Sequence, residues 1–321
     1  MRDLNSRYIG GVKKLENLVN RRQFLITSTG ALLLPVVDGI AGDAGSAVSL
    51  GFSLYGMKEL PLGEALKACK EIGFSHVEIA LNDGYPTAPD AFSAEARVVA
   101  AAQLQALKLG LPCLMINASL TADEKAHLKT LALIPAAAKV GRDLNPAVPP
   151  ILETVVGGKP ALWEEQKAGM AEKLTAWADA AEKAQTTIAI KAHVGSAVNS
   201  PDRLLWLLDQ VKSSAIQVTY DYSHFELQGI DMEESMKALL PRTRFIHAKD
   251  TAGDAQKFQF LLPGEGRTDY RKYFGLLKKY GYRGPVCVEV SAQVFKKPGY
   301  EPVAAARKSF AALSTAMERV G

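Results

Sequence analysis

The sequence predicts a single-domain (β/α)8, or TIM, barrel over residues 48–321. From Val48 onward, eight short apolar runs alternate with helical stretches. They fill about 270 residues, the usual extent of that fold. No glycine-rich strand-to-helix turn supports the rival, a doubly wound nucleotide-binding sheet.

The first 47 residues are of another kind. In "NRRQFLITSTGALLLPVV", Arg21 and Arg22 stand directly before an apolar run from Phe24 to Val37, and the small-residue stretch "GIAGDAGSA" follows. That run is too short and too rich in Ser, Thr, Gly and Pro to span a membrane comfortably. A basic start, an apolar middle and a small-residue exit describe a signal peptide, and the arginine pair points to the twin-arginine (Tat) route. The expected partner during export is the Tat translocase, and the expected location is the periplasm.

The strands are expected at 48–54 (VSLGFSL), 76–81 (HVEIAL), 112–117 (PCLMIN), 151–156 (ILETVV), 187–193 (TIAIKAH), 216–221 (IQVTYD), 244–249 (RFIHAK) and 285–290 (PVCVEV). Helices are expected at 62–73 and 163–184, where apolar residues recur at three and four. Another spans 200–211, opened by Ser200 with Asp202 in its first turn, and a last one runs from about 303 to 319. Cys69, Cys113 and Cys287 form no paired spacing and are expected to be buried hydrophobes. Net charge is +4, but residues 1–47 carry six Lys/Arg against four Asp/Glu, leaving 32 against 30 for the rest. That balance, with no basic run among aromatics, gives no reason to expect a nucleic-acid partner.

Barrel strands must point apolar residues outward at the helices, while inward residues near the C-terminal rim are free to be polar. Suppose Val77/Ile79, Ile188/Ile190, Val218/Tyr220, Ile246/Ala248 and Val286/Val288/Val290 face out. The inward set is then Glu78, Lys191, His193, Asp221, His247, Lys249 and Glu289, joined by Glu153 if Leu152 and Thr154 face out. So many ionisable groups on one parity predict a polar site at the top of the barrel. Asp221, His247 and Glu289, at three neighbouring strand ends, form a plausible N/O ligand set for Mn2+, Mg2+ or Zn2+.

At these residues the chain resembles a known family. "DYSHFELQG", "FIHAKD", "LLPGEGRTDYRKYFGLLKKYGYRGPVCVEVS" and "GFSHVEIA" resemble the sugar phosphate isomerase/epimerase family of xylose isomerase-like TIM barrels, over about 50–320. The resemblance implies a divalent metal on Glu, Asp, His and Glu from strands five to eight. It also implies a proton moved between adjacent sugar carbons through an enediolate. Asp221, His247 and Glu289 match three of those ligands; the fourth, a glutamate that also serves as base, falls on Lys191.

A lysine there changes the electrostatics. A unit pair about 4 Å apart interacts by roughly 4 kcal/mol at an effective dielectric near 20, so a dication facing Lys191 meets about twice that repulsion. Either Lys191 sheds its proton and becomes a general base, or the metal is absent and its ammonium bridges Asp221 and Glu289. Lys191, Glu289 and Glu153 are the expected catalytic groups, and Glu78, His193, His224 and Lys249 the expected substrate contacts. Lys249 has a second account, an ion pair to Asp250 or Glu289. "LLPGEGRTDY" (261–270) is expected in a long polar loop over the site, with Arg267 solvated. His76 and His127 are expected to be structural, the latter on an exposed helix.

The expected activity is therefore a carbohydrate isomerase or epimerase acting on a small sugar. A lyase or hydratase on keto-sugars or keto-glycosides is the alternative within enzymes, with a Schiff base on Lys191 behind it. A sugar-binding barrel without chemistry is the rival from outside.

Overall fold

The computed structural model describes residues 48–320. The signal-peptide expectation falls on residues 1–47 and lies outside the described residues. Among these, no helix is long and apolar enough to cross a membrane.

The strands are β1 (Ser49–Ser53), β2 (His76–Ala80), β3 (Gly110–Met115), β4 (Ile151–Val155) and β5 (Ile188–Lys191). After β6 (Ile216–Asp221) and β7 (Thr243–Ala248) come β8 (Asp250–Gly253), β9 (Phe258–Leu261) and β10 (Pro285–Val288). Eight of them close a barrel in the order β1-β10-β7-β6-β5-β4-β3-β2, every pairing parallel, while β8 and β9 form a separate antiparallel hairpin. The longer helices between them are α1 (Leu62–Ile72), α2 (Ala94–Leu107), α3 (Glu124–Leu144), α4 (Trp163–Lys183) and α5 (Pro201–Val211). Then come α6 (Tyr222–Glu226), α7 (Met232–Leu239), α8 (Tyr270–Lys279), α9 (Ala292–Phe295) and α10 (Pro302–Glu318).

Local chemistry sets the boundaries. Ser200 accepts a hydrogen bond from the Arg203 N–H and Pro201 opens α5, where its missing N–H has no helical partner to lose. α1 stops at Gly73, whose φ of +117° strains any side chain.

The expected parity holds. Val77, Ile79, Ile188, Ile190, Val218, Tyr220, Ile246, Ala248, Val286, Val288 and Val290 all join the large apolar cluster with helix residues such as Leu66, Leu174, Trp177 and Leu204. Leu152 joins them, and Thr154 turns to the Ala118 backbone, so Glu153 faces in. A second, smaller cluster packs Cys113, Phe245 and Cys287 together. β3 and β7 are not neighbours in the sheet, so these side chains meet through the interior and plug it. The plug is tight at Gly51, where an added Cβ would lie 2.3 Å from Cys287 Sγ.

Four expectations need correction. β5 ends at Lys191, because the chain turns at once: Ser196 N–H donates to His193 O at 2.9 Å. His193 is thus a loop residue, not a strand residue. His127 is buried, not exposed, because its side of α3 packs inward. The long polar loop after β7 is in fact the β8–β9 hairpin followed by a moored turn. Asp250, fully buried, accepts N–H bonds from Thr251 (3.0 Å), Gly264 (3.1 Å) and Thr268 (3.0 Å), tying the Gly-x-Gly segment down. Arg267, 48% exposed at its side chain, still donates to Glu226 O at 2.9 Å.

Candidate active site

Strand alternation delivers the inward side chains to one ionic layer above the apolar plug. Lys191 Nζ, from the end of β5, donates to His247 Nδ1 (2.8 Å) and Glu289 Oε1 (3.0 Å), and lies 3.9 Å from Glu153 Oε2. His247 Nε2 faces Glu78 Oε2 at 3.0 Å. Since Nδ1 accepts from the ammonium, the imidazole proton sits on Nε2 and goes to Glu78. Lys249 Nζ, one residue past β7, bonds Asp221 Oδ2 (2.7 Å) and Glu289 Oε2. Glu289, one residue past β10, is kept in line by its N–H bond to Ala248 O at 3.1 Å.

Asp221 serves two masters. Its Oδ1 caps α6 through Ser223 N (3.2 Å) and Oγ (2.6 Å), while Oδ2 meets Lys249 and lies 3.3 Å from His224 Nε2. His224 Nδ1 accepts from Val194 N–H at 3.3 Å, and its ring lies 4.2 Å from that of His193.

Burial and charge set the protonation states. Burial opposes the Lys191 ammonium, but Glu153, Glu289, Asp221 and Glu78 together raise its pKa above the usual lysine value. The neutral-lysine expectation is therefore corrected: four carboxylates surround the amine. The bridging expectation is corrected as well, since the ammonium joining Asp221 to Glu289 is that of Lys249. Burial pushes Asp221 up, but Lys249 and His224 hold it well below the carboxylate range; Lys191 and Lys249 do the same for Glu289. Glu153 differs. Burial outweighs Lys191 and pushes it up to about 7. Burial, with cationic neighbours, depresses His224 to about 4 and His193 to about 2, so both rings are neutral. Burial and Lys191 lower His247, but Glu78 and Glu289 win and raise it. In its contact with Lys191 the proton stays on the stronger base, the amine.

The residues were tested against a divalent ion. Asp221, His247 and Glu289 do bring one ligand atom each within 4.8 Å of one another, as do Glu78, Glu153 and His247. In the first set, however, both Glu289 oxygens, Asp221 Oδ2 and His247 Nδ1 already receive ammonium N–H groups. In the second, His247 Nε2 is spent on Glu78, leaving carboxylate oxygens alone. The donors do not fit a resident dication.

A cavity of about 300 Å³ opens above this layer, lined by Tyr55, Asn82, Asn117, Glu153, Lys191, His193, Lys249, Phe260, Glu289 and Ser291 among others. That volume suits a small polar ligand. Of the expected substrate contacts, His193 and Lys249 line it, whereas Glu78 and His224 are fully buried behind it, supporting His247 and His193. Glu153 has only a long ion pair: its Oε2 lies 3.9 Å from Lys191 Nζ and is buried without a hydrogen-bond partner. Sequence reasoning missed Tyr55, Asn82, Asn117 and Phe260. The first three lie two residues past β1, β2 and β3, where the rim rule applied to Lys249 would have found them. Phe260 carried no signal, because its place depends on the hairpin.

The sequence pattern of the xylose isomerase-like TIM barrels matches residues 66–316. The chain belongs to the xylose isomerase-like TIM barrel family. Within it, the chain is 24% identical over 260 residues to the L-ribulose-5-phosphate 3-epimerase UlaE of Salmonella typhi, covering 78% of this chain and 90% of that one. It is 22% identical over 165 residues to an inosose dehydratase of Clostridium tetani, covering 47% of this chain and 55% of the relative. The chain thus spans about half the length of that dehydratase. Among solved structures, the IolI protein with a bound zinc atom superposes with a TM-score of 0.70 at 19% identity, over 85% of this chain and 99% of IolI. That likeness carries the fold of this xylose isomerase-like barrel; the zinc belongs to IolI.

Proposed function

We propose that this barrel is a carbohydrate isomerase or epimerase that removes the proton alpha to the carbonyl of a keto-sugar, with Glu153 as the base. Support for an enzyme comes from relatives named as epimerases and dehydratases. The observation that carries the chemistry is Glu153 itself: a buried carboxylate lining the cavity, its Oε2 without a hydrogen-bond partner, with a pKa near neutrality. A base works best with its pKa close to the working pH.

Glu153 takes the proton, the C–H electron pair becomes the C=C of an enediolate, and the carbonyl oxygen becomes an oxyanion. Lys191 lies beside the same carboxylate to receive that charge. His193, neutral with its proton on Nε2 because Nδ1 accepts from Gly195 N–H (3.0 Å), donates to a sugar hydroxyl. The hydroxyl proton on the first carbon passes to the oxyanion, and as Glu153 returns its proton to the neighbouring carbon the first carbon's oxygen becomes the new carbonyl, which completes an isomerisation. Glu289, locked by two lysines, is a poor second base, so transfer across one face is favoured over two-base epimerisation. The same single base favours the second reading, a dehydratase: after abstraction, a β-hydroxyl leaves with a proton as water.

Keto-sugars incubated with the protein in D2O should gain deuterium beside the carbonyl, read by NMR. The rate should rise with pH through about 7, because Glu153 must lose its proton to act. Glu153→Gln should abolish exchange and keep the fold. Sugar binding without exchange in the wild type would sink the proposal and leave a binding protein.

We also infer export by the Tat route, from Arg21–Arg22 and the apolar run after them. An exported enzyme meets free or oxidised sugars rather than sugar phosphates.

A further inference from the structure

We propose that the ammoniums of Lys191 and Lys249 replace a resident divalent ion in this barrel and present its positive charge to the substrate. The naming of the substrate oxyanion rests on the proton abstraction above; the displacement of the metal does not.

Each ammonium has three N–H groups. Lys191 spends two on His247 Nδ1 and Glu289 Oε1, and Lys249 spends two on Asp221 Oδ2 and Glu289 Oε2. These four acceptors belong to Asp221, His247 and Glu289, the three residues that bring one ligand atom each within 4.8 Å of one another. Each lysine has a third N–H without a hydrogen-bond acceptor, that of Lys191 with Glu153 Oε2 3.9 Å away beside it, and both lysines line the cavity. That of Lys249 has the ring of Phe260, 4.9 Å away, as its neighbour. Two fixed positive groups thus share Glu289 and face one ligand from adjacent positions. Both are nearly fully buried, so water screens neither. An ion entering the same ligand set would have to displace both ammoniums and then sit against them. The second layer fits: Glu78 orients His247 so that Nδ1 keeps its lone pair toward Lys191.

The site holds an anionic oxygen by N–H donation, the kind formed when a ketone becomes an enediolate. Its charge is fixed in the covalent chain, so a chelator has nothing to remove.

Titration of the full-length protein with Zn2+ and Mn2+ by calorimetry, beside elemental analysis of the purified protein, tests this without any substrate. The wild type should show no one-to-one site. Lys191→Glu exchanges a repelling charge for a ligand, and should bind at least tenfold more tightly than wild type. Lys191→Met, which frees His247 Nδ1 and Glu289 Oε1 without adding a carboxylate, should also gain affinity, and serves if the glutamate variant misfolds. Wild-type protein that carries one metal and loses it in Asp221→Ala overturns the proposal. So does equal affinity in the wild type and both lysine variants. Deuterium exchange is read separately: exchange that persists in EDTA supports both proposals. Exchange that stops in EDTA and returns with metal leaves the proton abstraction standing and sinks the metal-free site.

Discussion

Lys249 holds two buried carboxylates at once, and its removal would leave Asp221 without an ammonium partner and Glu289 with Lys191 alone. Breaking such a pair from one side costs about 3–5 kcal/mol, so Lys249→Met is expected to lose that much in urea unfolding at pH 7. Both carboxyls have folded pKa values well below the ordinary range, so their contribution is present above that range and fades as pH falls through it. The gap between wild type and variant should therefore narrow below about pH 4. A constant gap would mean that the ion pairs contribute little. Strand parity alone makes Glu78, Glu153, Lys191, Asp221, His247 and Glu289 legible in the sequence as one inward set. Their pairing is not legible, because it depends on the stagger of the strands: Glu78 of β2 reaches His247 of β7 across the barrel. The same gap hid the charge state of Lys191, which depends on how many carboxylates surround it.

The β8–β9 hairpin and the turn after it form the one element whose shape the sequence concealed. FQFL is short, and the polar stretch 253–257 reads as loop, so no alternation announces two strands. Phe260 reaches the cavity from there, and Asp250 moors the turn that follows. Asp250→Ala should strand the Gly264 and Thr268 amides, each at about 1–3 kcal/mol, and speed hydrogen exchange at those two positions while β6 and β7 stay protected. Uniform exchange across the barrel would instead show that Asp250 supports the whole core. The strands and the helices α1, α4, α5 and α10 were readable to within a few residues, because their apolar periods are strong. β3, β5 and β10 were each carried two residues too far, β5 because Ala192 and His193 continue the alternation that Ser196 breaks by turning back.

For the chain as a whole, the fold follows from eight repeats of one local rule, whereas the proposal of export rests on residues 21–47 alone. Arg21→Lys with Arg22→Lys should leave unprocessed precursor in the cytoplasm, measured by fractionation; normal processing of the double variant would remove the Tat proposal. The sealed floor of the barrel has a kinetic meaning. Cys113, Phe245 and Cys287 pack together, fully buried, beneath the ionic layer, so whatever enters at the rim is expected to depart by that doorway. For an isomerase this is of no consequence: one molecule goes in and one comes out. A dehydratase makes two products, and its water lies deeper if the hydroxyl leaves toward Lys191. The unsaturated sugar must then depart first and rebinds only to a site that still holds the water, so its inhibition should be noncompetitive with respect to fresh substrate.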